Sequence, residues 1–66
     1  MKKQGLQYTI QNNGDEVVIY TRASKDEGFD FCVSFPVKYE DGKPMVSLFL
    51  VNKLIELSNF GYKQVP

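Results

Sequence analysis

Cys32 is the side chain of this sequence best suited to nucleophilic chemistry, and it is the only cysteine. A catalytic thiolate needs a base or an electropositive setting that lowers its pKa. The chain contains no histidine, and the neighbours Asp30 and Ser34 along the strand offer no positive charge. Cys32 therefore reads as a small residue in a strand. A lone cysteine excludes an intramolecular disulfide, and without histidine a zinc site of the Cys/His type cannot be assembled. Asp26, Glu27 and Asp30 form the densest acidic cluster, but their spacing is not that of a calcium-binding loop, and adjacent charges in a connection are ordinarily solvated. Asp15 and Glu16 follow a tight turn and read the same way. The five glycines, at positions 5, 14, 28, 42 and 61, stand singly where turns and helix ends want them, so there is no glycine-rich phosphate loop. These residues predict no catalytic site, no cofactor and no metal, hence a protein that is not an enzyme. An acid/base site built from Tyr, Lys and carboxylates alone would need a partner subunit to complete a cleft in so short a chain.

The elements that would position any site follow from periodicity. Leu6, Tyr8 and Ile10 alternate with Gln7, Thr9 and Gln11; after Asn13-Gly14, Val17, Ile19 and Thr21 alternate with Val18, Tyr20 and Arg22. This pattern predicts a β-hairpin. Asn-Gly suits a type I′ turn, which would pair Ile10 with Val17, Tyr8 with Ile19 and Leu6 with Thr21, joining residues 6–11 to 16–21. The opposite face is polar except for Val18 and Tyr20. Beyond a polar connection at 24–28, Phe29, Phe31, Val33, Phe35, Val37 and Tyr39 alternate with polar or small residues, predicting a third strand with its aromatic face inward. Asp41-Gly42 predicts a second two-residue turn that sets Val46 and Leu48 on that same inner face. In that register Pro36 would sit opposite Ser47 and leave a ladder bond unmade, so a bulge, a kink or an early end to the pairing is expected, with a short fourth strand over 44–48.

From Leu48 the period changes. Leu50, Val51, Leu54, Ile55, Leu57 and Ser58 fall on one half of a helical wheel, with Asn52, Lys53, Glu56 and Asn59 on the other. A helix covering Val51 to Leu57 is predicted, with its start open between a helix from Ser47 and a strand running to Leu50. Gly61 sits where a left-handed residue ends a helix, and Tyr62 can supply the accompanying apolar contact. The expected architecture is α+β: an antiparallel β-meander of three to four strands followed by one C-terminal amphipathic helix packed on one sheet face, within a single domain spanning 1–66.

Size and charge bound the function. At 66 residues a chain is near the lower limit for a self-sufficient core, and without a disulfide or metal such a domain is marginal. A second copy would help, so a homodimer is expected; the first strand, lacking proline or inward charge, is poorly protected as a sheet edge. Eight basic and eight acidic residues cancel, which removes any general attraction to nucleic acid or anionic membrane. The basic start Met1-Lys2-Lys3 is not followed by the apolar run of a signal peptide, and no apolar run approaches the roughly 20 residues that cross a bilayer, so a cytoplasmic location is expected.

Two binding readings remain. The surplus of apolar side chains at positions outside the expected core, among them Met45, Phe49, Phe60, Tyr62 and Tyr20, points to a non-catalytic interaction module, an accessory or inhibitory protein that occupies a protein partner's surface. Alternatively Tyr20, Val18, Arg22 and Lys38 form an aromatic and basic patch on the outer sheet face, as single-stranded nucleic acid requires. The candidate binding residues are thus Tyr20, Arg22, Lys38, Phe49 and Phe60. The order of antiparallel strands then helix, with Asp15-Glu16-Val17-Val18-Ile19-Tyr20-Thr21-Arg22 and Gly42-Lys43-Pro44-Met45-Val46-Ser47-Leu48, is similar to the dimeric single-strand-binding transcriptional coactivators over those two short segments. The resemblance implies a dimer that holds a single strand, a transcription-regulatory role; the zero net charge and the absence of a polar helix start depart from that family.

Overall fold

A computed structural model describes residues 5–45 and 47–66. Alternation of apolar residues makes strands β1 (Gln7–Asn12), β2 (Glu16–Arg22) and β3 (Asp30–Pro36), which pair antiparallel in sequence. A short second hairpin, β4 (Lys38–Glu40) with β5 (Lys43–Met45), precedes helix α1 (Leu48–Asn59). The chain then returns as β6 (Lys63–Gln64), which lies parallel to β1, giving a four-stranded sheet ordered β3-β2-β1-β6 and a separate two-stranded one. The architecture is α+β, with a mostly antiparallel sheet and one C-terminal helix.

The first hairpin forms one step out of the expected register. Ile10 faces Ile19, Tyr8 faces Thr21 and Asn12 faces Val17, so the ladder joins residues 7–12 to 17–22. The turn therefore centres on Gly14-Asp15 rather than Asn13-Gly14. Gly14 has φ 89° while Asn13 and Asp15 are not in the left-handed region, the pattern of a turn with glycine first. Two sets of bonds favour it. The Asn12 carboxamide accepts from the Gly14 amide at 2.8 Å. The carbonyls of Gly14 and Asp15 accept from the Tyr39 hydroxyl and the Val37 amide, both at 2.9 Å. Because each strand moves by one residue, Tyr8, Ile10, Ile19 and Thr21 still share a face.

The third strand departs further from its alternation. Ile19 faces Val33 but Tyr20 faces Phe31, so Cys32 is an extra residue with no partner, a β-bulge. Cys32 and Val33 both pack against the core, and the strand's parity inverts beyond them. Phe31, expected inward, stands on the outer face with 63% of its surface exposed. Tyr39, also expected inward, is exposed on the second hairpin.

That second hairpin keeps the expected turn. Asp41 (φ 53°) and Gly42 (φ 78°) are both left-handed, and Lys38 faces Met45, Tyr39 faces Pro44, Glu40 faces Lys43. Pairing stops before Pro36, which instead faces Glu16 in the main sheet. The fourth strand of the expected meander is thus a detached ribbon ending at Met45, short of the expected 44–48. Val46, expected on the inner face, and the basic start at residues 1–4 lie outside the described residues.

Ser47 starts the helix: its hydroxyl accepts from the Phe49 amide at 3.1 Å, satisfying one of the free donors of the first turn. The helix ends as glycine dictates. Gly61, at φ 97°, donates to the Ser58 carbonyl, and the Tyr62 amide reaches back to that of Leu57, the paired bonds of a left-handed helix stop. Tyr62 packs on the core at this point. The reversal delivers β6 to the free edge of β1, where Lys63 and Val65 donate to the carbonyls of Leu6 and Tyr8. The chain itself thus covers the first half of the edge that was expected to lack protection.

Core burial is concentrated in a few residues. Ile19 is fully buried, and Tyr8 and Leu57 join it, with Ile10, Val33, Phe35, Leu50 and Leu54 half-buried around them. Val18 is buried on the opposite face, flanked by Gln11 and Ser34 of the adjacent strands.

Two substitutions separate the observed face assignment from simple alternation. Ile19→Ala should destabilise by about 2–5 kcal/mol, most of the stability available to so small a domain. Phe31→Ser should change stability by less than about 0.5 kcal/mol, as for an exposed site. Urea unfolding followed by circular dichroism measures both; a loss above about 2 kcal/mol in Phe31→Ser would return Phe31 to the core.

Candidate interaction surfaces

The bulge at Cys32 builds the first surface. By the observed registers, Thr9, Tyr20 and Phe31 lie in one row across the outer sheet face, and Gln7 faces Arg22 in the next. The Arg22 guanidinium lies 4.3 Å from the centroid of the Phe29 ring, within cation–π range. Its Nε donates to the Gln7 side-chain carbonyl at 2.7 Å and its Nη1 to the Glu27 carbonyl at 3.1 Å. Arg22 is thus fixed by its neighbours and presents its remaining N–H groups from a set position. Phe31 stands beside Tyr20 on an adjacent strand with most of its ring in solvent. The candidate residues Tyr20 and Arg22 do share this face. Lys38 does not join them: Pro36 ends the third strand, and Lys38 belongs to the second ladder.

Lys38 instead meets Phe49 at a second surface. Phe35, Pro36, Lys38, Met45, Ser47 and Phe49 line a cleft of about 380 Å³ between the end of β3, the second hairpin and the start of α1. A smaller hollow of about 210 Å³ shares Phe35, Pro36, Met45 and Ser47 and continues toward Pro44 and Leu50. Apart from Lys38 and the Ser47 hydroxyl, which is occupied in capping, the larger cleft is walled by apolar side chains. Phe49 is 75% exposed. Such a wall takes an apolar side chain of a partner rather than a polar metabolite.

The third surface is on the helix. Of the half-wheel expected to face the sheet, Leu50, Leu54 and Leu57 do so, whereas Val51 and Ile55 are exposed. The sheet covers only one side of the helix. Leu48, Val51 and Ile55, at the i, i+3, i+7 spacing, are left as a neighbouring apolar stripe. Lys53 and Glu56 are the charged residues of α1, and they pair with each other at 2.9 Å. The hydrogen bond and charge of Glu56 hold the Lys53 ammonium above its ordinary pKa. Phe60 caps the far end of the helix, exposed and apart from the stripe.

Among the described residues no group of three or more His, Cys, Asp or Glu side chains is placed to hold a metal ion. No helix among them is long and apolar enough to cross a membrane. Sequence reasoning missed Phe31, Leu48 and Ile55 as surface residues. The patterns at Phe31 and Ile55 are those of core positions, and only the bulge and the narrow helix contact expose them. No protein-family model, no curated protein and no solved structure matches this chain, so its own geometry carries the functional reading.

The cleft depends on where the helix begins. Ser47→Ala removes the cap and should cost about 1 kcal/mol, lowering Tm by roughly 4–8 °C in a domain this small. Ser47→Asp, an equally good cap that also favours the positive helix end, should hold Tm within about 2 °C of the parent in a thermal melt.

Proposed function

We propose that this chain is a non-catalytic interaction domain, an accessory or inhibitory protein of the cytoplasm that works by occupying the surface of a polypeptide partner, either another protein or a second copy of itself. One observation carries this reading: an apolar cleft whose walls include Met45 and Phe49, large side chains left in solvent at the junction of the second hairpin and the helix. Isolated exposed apolar residues are ordinary, but a concave group of them marks a contact site. The geometry suits a partner's aromatic or aliphatic anchor inserted between Pro36, Met45 and Phe49, with Lys38 at the wall to meet a partner carboxylate. Binding of this kind needs no catalytic side chains.

A second reading is favoured by a different observation. Phe31 and Tyr20 on adjacent strands, flanked by the fixed Arg22, offer stacking surface for the bases of a single strand. It agrees with the resemblance to the single-strand-binding coactivators. The zero net charge weighs against it, since phosphate contacts supply most of the affinity of such proteins.

Photocrosslinking separates the two. A benzophenone amino acid at position 49 should yield protein adducts in the source cell that Met45→Asp removes, while the same probe at position 25, on the connection before β3, should yield none of them. No adduct specific to position 49 would overturn the cleft reading. For the second reading, fluorescence anisotropy with a labelled single strand at low salt should show binding that weakens at least tenfold in Phe31→Ala and Tyr20→Ala and falls with salt. Absence of binding at tens of micromolar protein would remove it.

A further inference from the structure

Strand β1 is covered by β6 along its first half only, and its second half presents backbone groups that a specific kind of partner satisfies. We infer that residues 10–12 of β1 receive an extended segment of a polypeptide partner as an added antiparallel strand, whose side chain opposite Asn12 enters the smaller hollow. That hollow continues the cleft, so the specificity of the contact rests on the cleft reading, whereas the edge itself does not.

The turn fixes which groups face outward. The Asn13 amide donates to the Glu16 carbonyl at 2.9 Å, so by alternation Gln11, Thr9 and Gln7 exchange their bonds with β2, while Tyr8, Ile10 and Asn12 aim their N–H and C=O at the opposite edge. At Tyr8 that edge is filled, since its carbonyl accepts from the Val65 amide at 2.9 Å. Beyond it β6 has ended, and among the described residues nothing on that side pairs with the backbone of Ile10 or Asn12. Each offers one donor and one acceptor, and the two sets repeat at the strand spacing of about 7 Å for two residues. A second extended backbone meets that alternation, exchanging both bonds at each position; a small ligand or a phosphate does not.

The other long edge is defended. On β3 the bulge at Cys32 breaks the regular spacing, Asp30 brings a charge, and Pro36 has no N–H to offer. The open part of β1 has none of these devices, its outward side chains being Thr9 and Gln11. Partner residues opposite Ile10 and Asn12 fall on the inner face with Tyr8 and Ile19, and the residue between them points to the outer face. Asn12 is also a wall of the hollow of about 210 Å³, where it meets Val17, Phe35, Pro44 and Leu50. The segment that fits therefore reads apolar, polar, apolar: its backbone supplies affinity and its inner side chains supply specificity.

A displayed library of random heptapeptides, selected on the immobilised full chain, is the probe. Selected peptides, made synthetically, should alternate apolar and polar residues and slow amide exchange at Ile10 and Asn12 at least about tenfold, leaving Gln11, already bonded to β2, unchanged. A full-length synthetic chain N-methylated at Ile10 loses a donor that its own fold does not use, and should bind at least about tenfold more weakly with an unchanged circular dichroism spectrum. The same modification at Asn12 serves if that chain does not fold. Met45→Asp, which places a charge in the hollow, should weaken binding by a similar factor. No selected peptide, or peptides that bind the N-methylated chain equally well, would overturn the added strand; if Met45→Asp still abolishes such binding, the cleft reading stands without it. Binding lost on N-methylation but indifferent to Met45→Asp overturns the hollow as the specificity pocket. Exchange at Ile10 and Asn12 that slows with protein concentration alone overturns the partner and assigns the edge to a second copy.

Discussion

Everything in this molecule hangs on the contact of Ile19 with Tyr8 and Leu57. Ile19 is on the central strand of the three-stranded antiparallel part of the sheet, and it is the one large side chain, among the described residues, that is fully buried. A buried aliphatic residue of this kind contributes a few kcal/mol, and a 66-residue domain has little more than that to spare. The helix holds to the sheet through Leu57 and the half-buried Leu50 and Leu54 beside it. The two ends of the helix are fixed by side-chain and backbone bonds instead, the Ser47 cap and the Gly61 reversal. Direction and length of α1 are thus set locally, while its position is set by one apolar contact.

The bulge at Cys32 follows from the same economy. A strand carrying Phe29, Phe31, Val33 and Phe35 on one face would ask for a wider cover than a twelve-residue helix provides, since only Leu50, Leu54 and Leu57 reach the sheet. Inserting one unpaired residue keeps Cys32, Val33 and Phe35 against the core and turns Phe31 away. Phe29 then finds the Arg22 guanidinium, which satisfies its other donors on Gln7 and Glu27. Phe31 finds no cover. Its exposure is a consequence of core size, and the same consequence leaves Leu48, Val51 and Ile55 outside on the helix.

The legible parts of this structure are those where one residue type has one conformational use. Asp41-Gly42 supplied two left-handed positions and made the turn its sequence implies; Gly61 ended the helix; Pro36 ended a ladder. At Asn13-Gly14 two turns one residue apart were both compatible with the sequence, and distant groups, Tyr39 and Val37, chose between them by bonding the carbonyls of Gly14 and Asp15. The alternation over Phe29 to Tyr39 concealed the bulge, because alternation reports what a strand has to bury and not what the opposing helix can cover. For the same reason the aromatic patch was only half legible: Tyr20 and Arg22 were visible on the outer face of β2, Phe31 was not, and Lys38 was joined to them by continuing a strand past the proline that breaks it. The two-residue strand β6 has no periodicity of its own and exists because the helix stop aims it at β1.

Stability and binding are therefore coupled in a specific way. The cleft, the helix cap and the apolar stripe all meet at the first turn of α1, where Ser47, Leu48 and Phe49 are successive residues serving three purposes: capping, stripe and cleft wall. Any occupant of either surface that binds the folded chain and not the unfolded one adds its binding free energy to folding.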